Sequence, residues 1–242
     1  METQLAGAQN QDFRTIPRLW KVTKGIRALD LGAGLGLYSA ALARQDAWVV
    51  GVDLELGHIA GARKEAQGRK LFWVRGDAAH LPFRPESFGL VVSVEMLSHL
   101  APPDRGRALA EIGRVVREGG EVWLTLHNPV RLALGQWLRG RRSRQVYETA
   151  NLPVWPSTPG QALGMVHGCG LQGQGGIRYL NYHSRFTFAW QRRHPWLARL
   201  LCLGEDLLAR LPLLRRLGIT FMLQATKAAG KPEQKAEEVI CP

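Results

Sequence analysis

The stretch that decides the fold is Ile26-Arg27-Ala28-Leu29-Asp30-Leu31-Gly32-Ala33-Gly34-Leu35-Gly36. Ile26 to Leu31 is too short for a helix and too apolar for a loop, so it reads as a buried strand. Its glycine-rich continuation lets the backbone turn sharply with no Cβ between it and a ligand. Leu37 to Arg44 then reads as a helix in which Ala40, Ala41 and Ala43 permit close packing. A turn at the carboxyl end of a strand is where open α/β sheets bind ligands. Two ligand classes are excluded by spacing: a dinucleotide fingerprint needs glycine where Leu37 stands, and a phosphate loop needs a Gly-Lys-Ser/Thr that is absent.

Working outward, Trp48 to Val52 reads as the next strand, Leu56 to Gly68 as a helix, Leu71 to Val74 as a strand, and Leu90 to Val94 as a fourth, after a Leu81-Pro82-Phe83 loop. Asp104 is placed to cap a helix reaching Arg117, and Gly119-Gly120 to stop it before a strand over Glu121 to Leu126. Strands without a polar face that alternate with helices imply a parallel sheet covered on both sides. After residue 127 the rhythm loosens. A basic stretch from Arg131 to Arg144 leads to a Pro-rich loop over Pro153 to Pro159, a short helix at Gly160 to His167 and a strand near Gly175 to Leu180. Leu-rich helices follow between Phe186 and Leu217, then a last strand from Ile219 to Thr226. Residues 1–25 read as a polar start and a capping helix carrying Phe13, Ile16, Leu19 and Trp20, and residues 230–242 as a frayed tail.

The chain has 242 residues, 45% of them apolar, which suits one folded domain and excludes a wholly disordered chain. Cys169, Cys202 and Cys241 are odd in number and contain no CxxC pair, against both a disulfide framework and a cysteine zinc cluster. With no basic-then-apolar leader at Met1 to Asn10 and no apolar run of about 18 residues, the expectation is a cytosolic protein. The net charge of +12 is unevenly spread: residues 1–130 hold 16 Lys and Arg against 14 Asp and Glu, whereas residues 131–230 hold 14 against 3. A basic second half suits nucleic acid, anionic lipid or an acidic small molecule.

Asp53 closes the second strand in Gly51-Val52-Asp53, and Asp77 follows the third in Gly76-Asp77-Ala78. The first can accept hydrogen bonds from both hydroxyls of a ribose, the second from a purine amine. Each alone is as readily a surface carboxylate. At the ends of successive strands beside the glycine turn, they describe a pocket for a nucleoside that needs no phosphate.

These segments, together with Leu81-Pro82-Phe83, Leu90-Val91-Val92-Ser93-Val94-Glu95 and Arg114-Val115-Val116-Arg117-Glu118-Gly119-Gly120, resemble the class I S-adenosylmethionine-dependent methyltransferases of the type 11 and quinone-methyltransferase-like group. The resemblance covers residues 26–127 and implies an α/β, Rossmann-like, seven-stranded, mostly parallel sheet with helices on both faces and the last strand antiparallel. It implies S-adenosyl-L-methionine as cofactor, with Asp30, Gly32, Ala33 and Gly34 along its methionine part, Asp53 at the ribose, Asp77 and Ala78 at the adenine, Ser93 at the methionine end, and Gly36 and Leu54 as further cofactor-binding positions. Gly89 departs from the family, which usually places Asp before the fourth strand.

A sulfonium methyl is electrophilic and leaves a neutral thioether, so transfer needs a placed nucleophile and neither a metal nor a covalent intermediate. Glu95, His99 and His127 follow the fourth and fifth strands, on the expected ligand side, and His99 is the best general base; its plain alternative is a structural histidine near a helix start. Tyr147, Tyr179, Tyr182 and His183 are further substrate-side positions. Residues 26–229 form the domain, and insertions at 128–158 and 181–218 are expected to make a substrate lid. Arg139, Arg141, Arg142 and Arg144 read as a solvated basic surface, and the Leu-rich stretch from Trp196 to Leu211 as a helix packed on the domain or leaning on anionic membrane. The acceptor expected is a small organic molecule, anionic, amphiphilic or lipid-linked, methylated on oxygen or carbon. A transfer-RNA or other nucleic-acid methyltransferase is the main rival, and a non-enzymatic cofactor-binding regulator the second.

Overall fold

The computed structural model describes residues 16–20, 22–65, 70–138, 147–149, 152–180 and 218–228. Strands β1 (Arg27–Leu31), β2 (Trp48–Asp53), β3 (Leu71–Arg75), β4 (Phe88–Ser93) and β5 (Val116–His127) run parallel, with helices α1 (Leu37–Arg44), α2 (Leu56–Glu65) and α3 (Pro102–Val115) among them. Then come α4 (Pro129–Trp137), a two-stranded antiparallel pair β6 (Tyr147–Thr149) and β7 (Leu152–Val154), α5 (Pro159–His167), β8 (Leu171–Leu180) and β9 (Thr220–Lys227). The seven-stranded sheet has the order β3-β2-β1-β4-β5-β9-β8. Only β9 is antiparallel, and it lies between β5 and β8. The order reverses at β1, which pairs with β2 on one side and β4 on the other, and this reversal opens a crevice at the carboxyl ends of the strands.

Two cores follow from the alternation of side chains along each strand. On one face Leu29, Leu31, Val52, Val91, Val122 and Leu124 pack with Leu109, Ile112 and Val115 of α3 and Val166 of α5. On the other, Ala28, Val49, Leu90 and Val92 pack with Leu42 of α1. Residues 16–19 are helical, and Ile16 and Trp20 are buried on this second face. Residues 1–15, the insertion up to residue 217 with its Leu-rich stretch, and the tail 230–242 lie outside the described residues.

Several boundaries differ from the sequence expectation. Asp104 is not the N-cap of α3, which Ala101 occupies ahead of Pro102; the carboxylate sits inside the first turn, where it still favours the helix electrostatically. The helix ends at Val115 rather than Arg117, because Val116 already pairs with Phe88 of β4. Gly119-Gly120 therefore lies within β5, in a bulge where the register slips between Phe88 and Leu90. A Cβ on Gly120 would come within 2.8 Å of the Arg117 carbonyl oxygen, so the bulge requires glycine there. Gly89 is inside β4, which starts at Phe88. β8 begins at Leu171, earlier than Gly175, because β9 offers partners along Leu171 to Gln174.

Candidate active site

Everything expected at the cofactor site sits at one end of the sheet. The turn after β1 is bound to β2: the Gly32 and Ala33 N–H groups donate to the Val52 carbonyl at 2.8 and 3.0 Å, and the Gly34 N–H donates to Asp53 Oδ2 at 2.8 Å. Gly34 has φ of 54°, and a Cβ there would meet nothing within 4 Å, so the turn faces open space at this point. Gly36 is different. It is buried at the start of α1, with φ of 78°, and a Cβ would strike the Trp73 ring. Its glycine is demanded by packing. Asp30 is 1% exposed and accepts a 2.6 Å hydrogen bond from Ser39 Oγ of α1, which braces the base of the turn. Burial pushes its carboxyl up to about 6 against the opposing pull of that hydrogen bond.

Asp53 ends β2 half-buried. Besides the Gly34 N–H it accepts the Glu55 N–H on Oδ1 at 2.9 Å, and His58 Nδ1 of α2 lies 3.3 Å from the same oxygen. Leu54 beside it is exposed. Asp77 lies beyond β3, and its carboxyl is held below the usual range by the Ala79 N–H, donated at 2.9 Å, and by His80, whose Nδ1 is 3.4 Å away. Ala78 is half-buried next to it. Ser93, at the end of β4, is fully buried and its Oγ has no hydrogen-bond partner. An open glycine turn, two carboxylates at the ends of neighbouring strands and an orphaned hydroxyl at the sheet's reversal point fit the methionine, ribose and adenine parts of S-adenosylmethionine.

The substrate side is built from the ends of β4 and β5. Glu95 has φ of 60°, uncommon for a residue with a side chain, and its N–H donates to Thr125 Oγ1 at 2.6 Å. Four residues on, His99 ends a 3-10 turn (Leu97–His99) and its ring lies 5.8 Å, edge to face, from that of His127 at the end of β5. His99 Nδ1 is 2.9 Å from the Pro153 carbonyl of β7, which can only accept, so Nδ1 carries the proton and Nε2 is the basic nitrogen. His127 is 6% exposed with an unpartnered Nδ1; burial, then the neighbouring His99, pulls it down to about 4 and keeps it neutral. His99 and His127 are thus brought together, whereas Tyr147 is a backbone partner of Val154 in β6 and His183 lies outside the described residues. Sequence reading missed Arg105, Trp155 and Ser157, which hold the loop over this end of the sheet from about fifty residues apart. No local pattern announces such a contact.

A parallel sheet reversed at β1, with one antiparallel strand beside its far edge and the glycine turn, Asp53 and Asp77 at the reversal, is the Rossmann-like arrangement expected from the sequence. Residues 29–124, less than half of the chain, match the family described as methyltransferase domain. It is 37% identical over 114 residues to a demethylmenaquinone methyltransferase of Clavibacter sepedonicus, covering 43% of this chain and 46% of the relative. With a ubiquinone biosynthesis O-methyltransferase of Aeromonas salmonicida it shares 36% over 107 residues, 43% of this chain and 44% of the relative. The chain therefore spans less than half the length of these two relatives. An S-adenosylmethionine dependent methyltransferase structure from Mesorhizobium loti superposes with a TM-score of 0.63 at 18% identity, over 92% of this chain and 99% of that one, a likeness of fold.

Proposed function

We propose that this protein transfers the methyl group of S-adenosylmethionine to an oxygen or carbon of a small organic acceptor, amphiphilic or lipid-linked, with His99 as the proton acceptor. The observation that carries the reading is the placement of His99, its Nδ1 proton committed to the Pro153 carbonyl, at the same end of the sheet as the glycine turn, Asp53 and Asp77. When bound, the cofactor supplies an electrophilic methyl on a sulfonium that departs as a neutral thioether. Asp53 would accept from the ribose, Asp77 from the adenine, and the turn would leave its backbone open along the methionine part. His99 Nε2 would take the proton of an acceptor hydroxyl or acidic C–H, leaving its electron pair free to attack. His127, neutral beside it, adds no like charge when His99 becomes protonated.

Two features support an apolar acceptor. Val130, Trp137 and Leu138 of the α4 region and Leu152 of β7 are all more than half exposed, apolar surface in the part that follows the cofactor half. The two relatives bear quinone-pathway names, which places quinol-like phenols first among acceptors to try. No described helix is long and apolar enough to cross a membrane, so the proposed contact with anionic lipid is peripheral and falls to the basic second half. The test is titration calorimetry with S-adenosylmethionine and S-adenosylhomocysteine, then labelled-methyl transfer to a panel of catechols and hydroquinones with and without prenyl tails. Saturable cofactor binding and transfer that improves with tail length are expected; binding with transfer only to transfer RNA would replace this acceptor class by the nucleic-acid reading.

A further inference from the structure

Arg105 lies on the apolar face of α3, in register with Ala108, Leu109, Ile112 and Val115, where a leucine would fill the space without desolvating a charge. It is 4% exposed, its Nε is unpartnered, and among the described residues no carboxylate pairs with it. What its guanidinium does hold is a single loop. Nη1 donates to the Trp155 carbonyl at 3.0 Å and to Ser157 Oγ at 2.7 Å. The same loop is fastened to both histidine-bearing elements, since the Trp155 N–H donates to the Ser98 carbonyl at 2.8 Å and the Ser157 N–H to the His127 carbonyl at 3.1 Å. Ser98 Oγ closes the ring by accepting the His127 N–H at 2.9 Å. Two residues before Trp155, on the same short run of chain, is the Pro153 carbonyl that fixes the His99 proton on Nδ1.

We propose that Arg105 is a positioning residue for proton transfer: it clamps residues 153–157 so that the Pro153 carbonyl holds His99 with Nδ1 protonated and Nε2 basic. The inference rests on reading His99 as the proton acceptor, and goes beyond it by assigning its orientation to a buried cation on a neighbouring helix. A charge is suited to this task because a guanidinium donates to a carbonyl and a hydroxyl at once with fixed geometry, and its bonds are stronger than neutral ones in an enclosed site. With the clamp removed, the β7 carbonyl drifts and the His99 proton redistributes between the two nitrogens.

The tautomer can be read without knowing the acceptor. In nitrogen-15 histidine-labelled protein, long-range imidazole spectra assign His99 by the signals lost in His99→Gln. The wild type is expected to show His99 with Nδ1 protonated; in Arg105→Gln its two nitrogen shifts converge toward those of an exchanging mixture, while His58 and His80 on the nucleoside side are unmoved. Ser157→Ala, which removes one of the two acceptors, gives a smaller change and serves where Arg105→Gln fails to fold. With an acceptor in hand, kcat in Arg105→Gln falls by about tenfold, a fraction of what general-base catalysis supplies, at unchanged KM for the cofactor. Unchanged His99 signals in a folded Arg105→Gln or Ser157→Ala protein would overturn the proposal. Failure of the underlying reading looks different: His99→Gln would then transfer methyl at the wild-type rate whatever the spectra of the Arg105 variant.

Discussion

Asp53 shows how much a single carboxylate is asked to do. Two backbone N–H groups and His58 already face its oxygens, and a carboxylate offers about four lone-pair sites, so a ribose diol competes with His58 for what is left. Asp53→Ala is expected to weaken S-adenosylhomocysteine binding by at least tenfold, because it removes the ribose acceptor and unties the Gly34 turn together. Calorimetry checks this, and an unaltered affinity would remove Asp53 from the site. His127 gives a prediction of opposite character. Its depressed folded value means that the unfolded chain takes up the proton first, so its stabilising contribution is complete above about 6.5 and is lost as pH falls toward about 4. Asp30, raised to about 6, works the other way, its contribution being present at low pH and lost as pH rises through about 6. Comparing His127→Gln with wild type isolates the first effect: the variant should gain on the order of 3 kcal/mol relative to wild type between pH 7.5 and 4, read from urea unfolding at each pH. A stability difference that does not change with pH would mean that His127 takes up its proton equally readily in the folded and unfolded chain.

At the scale of elements, α1 depends on Gly36 and α5 on Thr158. Gly36→Ala places a side chain at φ of 78° and into the Trp73 ring, and should cost about 2 kcal/mol or more through strain and overpacking. Thr158 accepts the Gln161 N–H, and Gln161 Oε1 accepts the Thr158 N–H in return, a capping box for α5. Thr158→Ala should cost about 1 kcal/mol, with cofactor affinity intact. Thermal unfolding separates the two, since only Gly36→Ala also disturbs the turn that faces the cofactor.

Elements governed by short-range pattern were legible in the sequence. The strand from Arg27, the glycine turn, the helix after it and the apolar strands β2 to β4 announce themselves by composition and spacing. The start of β8 did not, because Gln172-Gly173-Gln174 carries a turn-like composition and becomes strand only by pairing with Thr226 to Gln224 of β9. The start of β5 was hidden for the same reason, its Gly119-Gly120 being a bulge rather than a stop. In the site, Asp53, Asp77 and His99 were visible as residue types at strand ends. Pro153, Trp155, Ser157 and Arg105 were not, since their meaning lies in contacts 50 to 54 residues apart.

Over the whole molecule, net positive charge gathers in the second half of the sequence, opposite in chain order to the cofactor turn and its two carboxylates. Sedimentation with vesicles containing anionic lipid is expected to recover the protein at low salt and to release it as salt rises past about 0.15 M, where screening shortens to about 8 Å. Retention that ignores both salt and lipid charge would assign the contact to apolar side chains such as Trp137 and Leu138 alone.

The position of β9 has a consequence for how the chain is made. β5 finds its antiparallel neighbour only after about ninety further residues have left the ribosome, an interval of roughly 5–20 s at ordinary elongation rates. Throughout it the cofactor half can collapse around β1 to β5, yet it carries an unpaired, apolar strand edge from Glu121 to His127 of the kind that recruits other chains. The protein's exposure to aggregation is therefore concentrated in the second half of its synthesis, and a chaperone that shields nascent strand edges would raise its yield more than one acting on the finished fold.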